Sequence, residues 1–272
     1  MLSVQKLSIA FRRYAGIARQ RRLMCLSDVS LVAVPSEVVA IVGASGAGKS
    51  LLAHAIVGLL PGNAETAGHL IFDGEVLTPR RQASLRGNQI ALIPQSIAFL
   101  DPLARVARQL DYAARRVGVP LVRRRDTIVR SLERFGLDPA TGSAFPHQLS
   151  GGMARRVLLA IATVGDPRLV IADEPTTGLD EDNAKGVLTE LRRIADRQNI
   201  VLLITHDIRA ALLVADRVVV IRDGVTLDNA PARAFHGGGE ALANAYTRAL
   251  WRALPEIDFD AAREADATQS PC

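Results

Sequence analysis

The chain has 272 residues, 49% of them hydrophobic and 22% charged, a balance that excludes a disordered, collagen-like or coiled-coil protein and predicts one large domain or one domain with an inserted lobe. The net charge is +5, carried by 30 arginines and only three lysines (Lys6, Lys49 and Lys185), which admits nucleic acid, anionic lipid or phosphate as partners beside a plainly solvated arginine-rich surface. Two cysteines, Cys25 and Cys272, are too few for a disulfide framework and predict a reducing compartment; no apolar run approaches the ~18 residues that span a bilayer, and Met1 to Leu7 lacks the pattern of a secretory signal.

In chain order, the apolar run Val38 to Val42 predicts a strand and Ser50 to Leu60 a helix. Asp73-Gly74, between Leu70 to Phe72 and Val76 to Leu77, is a short-hairpin signal. Between Gln95 and Gly165 strand signals vanish and the sequence turns helical and arginine-rich, including Arg115, Arg116 and Arg123 to Arg125, so a helical lobe inserted between two strands is expected. Strand and helix patterns then alternate: Leu169 to Ala172, Asn183 to Asp196, Ile200 to Thr205, Ile208 to Ala215. A second hairpin signal, Asp223-Gly224, joins Val218 to Ile221 and Val225 to Leu227. A helical segment, Ala241 to Leu254, ends at Pro255, and Glu256 to Cys272 reads as a polar, loosely held tail. Together these predict an α/β fold with a mainly parallel buried sheet, a smaller antiparallel β element and no internal repeat.

Residues 43 to 50 read GASGAGKS, which fits the phosphate-loop pattern, and they stand in the strand-to-helix setting it needs. Backbone N–H groups there, with the positive end of the following helix, cradle phosphates, and Gly43, Gly46 and Gly48 let the backbone approach the ligand. Lys49 would reach the β- and γ-phosphates and Ser50 would place its hydroxyl on Mg²⁺. Residues 169 to 174 read LVIADE, a strand ending in two carboxylates at the edge where α/β sheets bind ligands. Asp173 is a candidate for Mg²⁺ and Glu174 for orienting or deprotonating the attacking water; the bland alternative is an acid pair facing a helix dipole. Ser150 resembles an N-cap, and Gly151 and Gly152 leave N–H groups exposed at a helix start. This second anion-binding feature lies more than 100 residues from the first and suggests a nucleotide held between two subunits. His206 follows a strand, where it either makes a structural hydrogen bond or polarises a water beside a γ-phosphate. His54, His69, His147 and His236 show no metal-ligand spacing.

These segments, in this order, resemble the nucleotide-binding subunit of ABC transporters over about residues 2 to 255. The resemblance makes Gly43 to Ser50 Walker A, Gln95 the Q-loop, Ser150 to Met153 the signature, Leu169 to Glu174 Walker B, Gly178 to Asp180 the D-loop and His206 the switch histidine. It implies a P-loop ABC cassette with a mixed sheet core, a helical subdomain at about 96 to 165 and a tail at 256 to 272. It further implies nucleotide contacts from Gly43, Ala44, Ser45, Gly46, Ala47, Gly48, Lys49, Ser50 and Leu51. Mg²⁺ would be held by Ser50, Gln95 and Asp173, with Glu174, His206 and Gln95 catalytic. ATP would be sandwiched against Ser150, Gly151, Gly152, Met153 and Asp180 of a second ATPase subunit, the same or a different chain.

Finer features are similar to the peptide and nickel importer branch: FPHQLSGGM at 145 to 153, Asp101-Pro102-Leu103, ADEPTTGLD at 172 to 180, and YTRALWRALP at 246 to 255. A tail with only Cys272 lacks the cysteine-rich iron–sulfur motif of many peptide-type members, which favours nickel or metal-chelate members. Pro35-Ser36-Glu37 stands where the family has a glycine before the glutamate. Phe11, or else Tyr14, falls at the adenine-stacking position, and Arg12 to Arg22 resemble a lengthened loop beside it. The implied protein is a peripheral ATPase on the cytoplasmic face of the inner membrane. It powers uptake of nickel, a metal chelate or peptides through separate permease subunits fed by an extracytoplasmic solute-binding protein, with no nucleic-acid partner. The rival is a soluble non-transport ABC ATPase acting on nucleic acid or ribosomes, favoured only by the basic charge.

Overall fold

The computed structural model describes residues 1–15 and 19–254, with the side chains of residues 13–21 outside the described part. Strands β1 (Leu2–Ala15) and β2 (Arg19–Ala33) form a long antiparallel hairpin. In β1 the apolar residues Leu2, Val4, Leu7 and Ile9 are all buried although the step from Val4 to Leu7 breaks the two-residue period. A bulge restores the phase: the register shifts between Val4 and Leu7, where Lys6 takes a left-handed φ of 49°. Asp28, with φ 53°, does the same between Leu26 and Val29 of β2.

The hairpin overturns the expected loop at Arg12 to Arg22. The ladder runs on from Phe11↔Leu23 to Ala15↔Arg19, and Glu65 holds both strands, 2.6 Å from Arg12 and 3.1 Å from Arg22. Only residues 16–18 of that stretch lie outside the described structure, as do Pro255 and the tail at 256 to 272.

β3 (Val38–Val42) is buried throughout and leads into α1 (Lys49–Val57), which stops before Leu60 because Gly58 takes the left-handed C-cap conformation, φ 69°. β4 (Ala64–Phe72) and β5 (Glu75–Val76) turn on Asp73 and Gly74, φ 52° and 79°, and join β1 to complete a sheet ordered β2-β1-β4-β5. After α2 (Pro79–Leu85) and β6 (Ile90–Ile93) come α3 (Val106–Arg116), α4 (Leu121–Arg134) and α5 (Gly151–Thr163). The chain then alternates β7 (Leu169–Asp173), α6 (Glu181–Asp196), β8 (Ile200–Thr205), α7 (Ile208–Leu212) and β9 (Arg217–Arg222). β10 (Val225–Pro231) pairs antiparallel with β9 across Asp223-Gly224. α8 (Ala245–Arg252) starts later than Ala241 because the Asn244 side chain caps the amides of Tyr246 and Thr247.

The central sheet is ordered β10-β9-β3-β8-β7-β6 and is parallel except for β10. The two Asp-Gly hairpins therefore serve different sheets. β3 shows how the layers divide: Val38, Ala40 and Val42 face a core shared with α5 and α6, whereas Val39 and Ile41 face α1 and the antiparallel sheet. The C-terminal ends of β3, β7 and β8 fall side by side, so Gly43, Glu174 and His206 meet at one edge although 32 to 163 residues separate them in sequence.

Candidate active site

The turn after β3 is shaped by close approach. A Cβ on Gly43 would stand 2.0 Å from the Ile221 carbonyl oxygen, and Gly48, at φ 92°, begins α1 with no room for a side chain against Leu26. A Cβ on Gly46, φ 82°, would meet nothing within 4 Å and stand in open space. Lys49 is 7% exposed, and its ammonium donates to the carbonyls of Gly43 at 2.6 Å and Ala44 at 3.0 Å. Burial lowers the Lys49 pKa, and the charges of Glu174 and Asp173 oppose that shift. The lysine therefore lies folded along its own loop, with its charge held where anionic oxygens would replace the two carbonyls.

Asp173 ends β7 and is 5% exposed. Burial raises its pKa, partly offset by a hydrogen bond from Ser50 and raised further by Glu174. Its Oδ1 is buried with no hydrogen-bond partner. An orphaned carboxylate oxygen beside a hydroxyl at a phosphate loop fits a hard divalent cation such as Mg²⁺, which binds oxygen ligands and phosphate together.

Glu174 adopts φ 48°, a left-handed conformation that a non-glycine residue holds only where its surroundings enforce it. Its amide donates to Ile204 O at 2.9 Å, and its carboxylate lies 2.9 and 3.0 Å from His206 Nδ1. Thr177 Oγ1 donates to the same carboxylate at 3.3 Å. One oxygen pair thus faces an imidazole and a hydroxyl, held at the end of the sheet rather than along a helix N-terminus. His206 therefore hydrogen-bonds Glu174 at the edge of the cleft.

These groups line a cleft of about 550 Å³ bounded by Ser45, Gly46, Ala47, Gly48, Lys49, Ser50, Leu51, Gln95, Glu174, Thr177, His206 and Cys25. Gly43 and Ala44 lie behind Lys49, and Asp173 lies beneath Ser50. Cys25 and Thr177 were not among the expected site residues: Cys25 arrives through the β1–β2 hairpin and Thr177 through the turn after Glu174. Phe11, the expected adenine-stacking aromatic, lies on β1 where that strand pairs with β4; it is half-buried against the core and is not among the residues lining this cleft. The Tyr14 side chain lies outside the described residues.

Ser150, Gly151, Gly152, Met153 and Asp180 do not line this cleft. Ser150 caps α5 by accepting from the Met153 amide at 3.2 Å, and Asp180 caps α6 by accepting from Asn183 at 2.8 Å. Hydrogen bonds from Asn183 hold the Asp180 carboxyl below its ordinary pKa. The two helix starts touch: a Cβ on Gly152 would stand 3.2 Å from the Asn183 side chain. Among the described residues there is no group of three or more His, Cys, Asp or Glu able to hold a metal without phosphate oxygens.

A profile of the ABC transporter family matches residues 26–177. The chain is 35% identical over 267 residues to the oligopeptide transport ATP-binding protein OppD of Lactococcus lactis subsp. cremoris, covering 95% of this chain and 77% of that one. It is 36% identical over 274 residues to the dipeptide transport ATP-binding protein DppD of Escherichia coli, covering 97% and 81%. Among solved structures, the dimeric post-hydrolysis ATP-binding cassette MJ0796 bound to ADP and phosphate shares its fold with a TM-score of 0.76 at 23% identity, over 86% of this chain and 99% of that one. An ATP-binding subunit of an ABC transporter matches with a TM-score of 0.73 at 26% identity, over 92% and 98%. With the family profile spanning more than half its length and relatives aligned over 95% and 97% of it, this chain belongs to the ABC transporter family, as an ATPase cassette.

Proposed function

We propose that the chain is the ATP-hydrolysing subunit of a peptide importer, held on the cytoplasmic face of the inner membrane by separate permease subunits and fed by an extracytoplasmic solute-binding protein. No described helix is long and apolar enough to cross a membrane, so this function needs permease chains to supply the pathway. Relatives named for oligopeptide and dipeptide transport, aligned over nearly the whole chain, support peptides over nickel or a metal chelate as cargo.

The observation that carries the chemistry is the Glu174 carboxylate, fixed between His206 and Thr177 at the mouth of a cleft floored by Lys49. The phosphates of ATP would lie along the amides of Gly43 to Ser50 with Lys49 as their counter-charge. Ser50, Asp173 and Gln95 would hold Mg²⁺, which when bound neutralises charge on the β- and γ-phosphate oxygens. Glu174 would orient a water for attack on the γ-phosphorus and accept its proton, and His206 would hold the carboxylate and the departing phosphate in register. Ser150 to Met153 and Asp180 stand away from this chain's own cleft, which supports their contacting ATP in the cleft of a second ATPase subunit.

Glu174→Gln keeps the shape and removes the base. Its expected behaviour is unchanged ATP binding with hydrolysis lowered by about 10²- to 10⁴-fold, read by equilibrium binding and phosphate release. Near-normal turnover in that variant would remove Glu174 from its role. In proteoliposomes carrying the assembled complex, a peptide should stimulate hydrolysis; stimulation by a nickel chelate instead would reassign the cargo.

A further inference from the structure

Arg155 lies on α5, within the helix that Ser150 to Met153 begin, and is 4% exposed. No carboxylate pairs with it among the described residues, and its Nε has no hydrogen-bond partner. A guanidinium buried without a counter-ion is destabilising, and an apolar side chain of similar volume would fill the same space at lower cost. Its two terminal nitrogens, however, reach two separate loops. Nη1 donates to the Pro94 carbonyl at 2.9 Å, and Nη2 donates to the Thr177 carbonyl at 3.4 Å. Pro94 immediately precedes Gln95, and Thr177 is the residue whose hydroxyl holds the Glu174 carboxylate. Both loops open onto the ATP cleft, whereas Arg155 itself does not line it.

We propose that Arg155 is a positioning residue for ATP hydrolysis: its forked guanidinium ties the signature helix to the Gln95 loop and to the Glu174–Thr177 turn at once. It rests on the role proposed above for Glu174. A planar fork suits the task because its donors diverge in fixed directions, while an ammonium is a single point. When a second subunit's ATP engages Ser150 to Met153, a shift of α5 is passed through one rigid group to both loops. Arg155 makes no hydrogen bond to β7 or to the phosphate loop, so ATP affinity does not depend on it.

The test compares Arg155→Met, Arg155→Lys and Glu174→Gln with the wild-type full chain, measuring ATP binding, kcat, KM, the Mg²⁺ concentration for half-maximal rate and the melting temperature. Arg155→Met is expected to lower kcat by about tenfold or more through misplacement of the catalytic groups, while ATP affinity stays within about twofold of wild type. Its Mg²⁺ requirement should rise, because Gln95 loses its anchor. Arg155→Lys should recover only a minor part of kcat. The strut is overturned if kcat survives in Arg155→Met, if lysine restores it fully, or if kcat and ATP affinity fall together as for general loss of structure. Should Arg155→Met fail to fold, Arg155→Lys decides by the same split. Activity retained in Glu174→Gln would fail the catalytic assignment itself, an outcome distinct from failure of the strut.

Discussion

At the scale of residues, the site is a set of unfavourable local states that support one another. Glu174 sits at positive φ, Lys49 is buried and Asp173 keeps an unpaired oxygen in the interior. Each would destabilise the fold alone, and the proposed function gives each a use, with phosphate and a cation in the cleft. The elevated pKa of Asp173 gives a test with a definite sign. The folded chain holds that proton more tightly than the unfolded chain, so this group's contribution to stability falls as pH rises from the ordinary carboxylate range through the elevated value. Without nucleotide or Mg²⁺, Asp173→Asn should match wild type at acid pH and become the more stable protein towards neutrality, as measured by urea unfolding across pH. A stability difference that does not change with pH would remove the buried charge as its cause. The identities of Lys49, Ser50, Asp173 and Glu174 are legible in the sequence because each falls at a fixed offset in a motif. The place of Cys25 in the cleft is not legible, because a long-range hairpin brings it there, and Thr177, though inside the segment at 172 to 180, reaches the carboxylate only through the turn after Glu174.

At the scale of elements, the buried parallel strands were readable from composition: Val38 to Val42 is an unbroken apolar run, Ile200 to Ile204 another ending in Thr205, and the structure gives the predicted strands the same limits. The β1–β2 hairpin was not readable, because three register shifts interrupt its alternation and arginines fill its far end. Its function in the fold is to deliver Cys25 and Leu26 to the phosphate loop. There Gly224, φ 77°, comes so close that a Cβ would stand 2.3 Å from the Cys25 carbonyl oxygen, and the Ser27 amide donates to Gly224 O at 2.8 Å. Gly224→Ala should therefore destabilise the chain by about 2–3 kcal/mol, from left-handed strain and the clash together. Chemical denaturation measures that loss, and a change below about 0.5 kcal/mol would show that the hairpins are not so tightly docked.

At the scale of the whole molecule, the basic excess admitted nucleic acid when read from the sequence. The structure engages several of these arginines internally. Arg86 donates to the carbonyls of Val57 and Gly58, Arg81 to those of Phe72 and Glu75, and Arg116 to that of Arg86. Arg192 binds Ser36 O and Asp216, and Arg217 binds Glu37. Arginine here acts as a carbonyl clamp between elements. Hydrolysis by the chain should consequently be indifferent to added DNA or RNA at physiological salt, and a salt-sensitive stimulation would restore the non-transport alternative.

The sequence by itself determined the family, the phosphate loop, the acid pair and the alternation of strand and helix, because those depend on local backbone requirements and on short-range patterns of burial. Tertiary structure alone decided that Phe11 packs partly against the core, that Glu174 and His206 share a hydrogen bond, and that Ser150 to Met153 do not line their own chain's cleft. These are matters of which strand ends lie side by side and which way a helix points, and they are fixed by sheet order and packing between residues far apart in the chain.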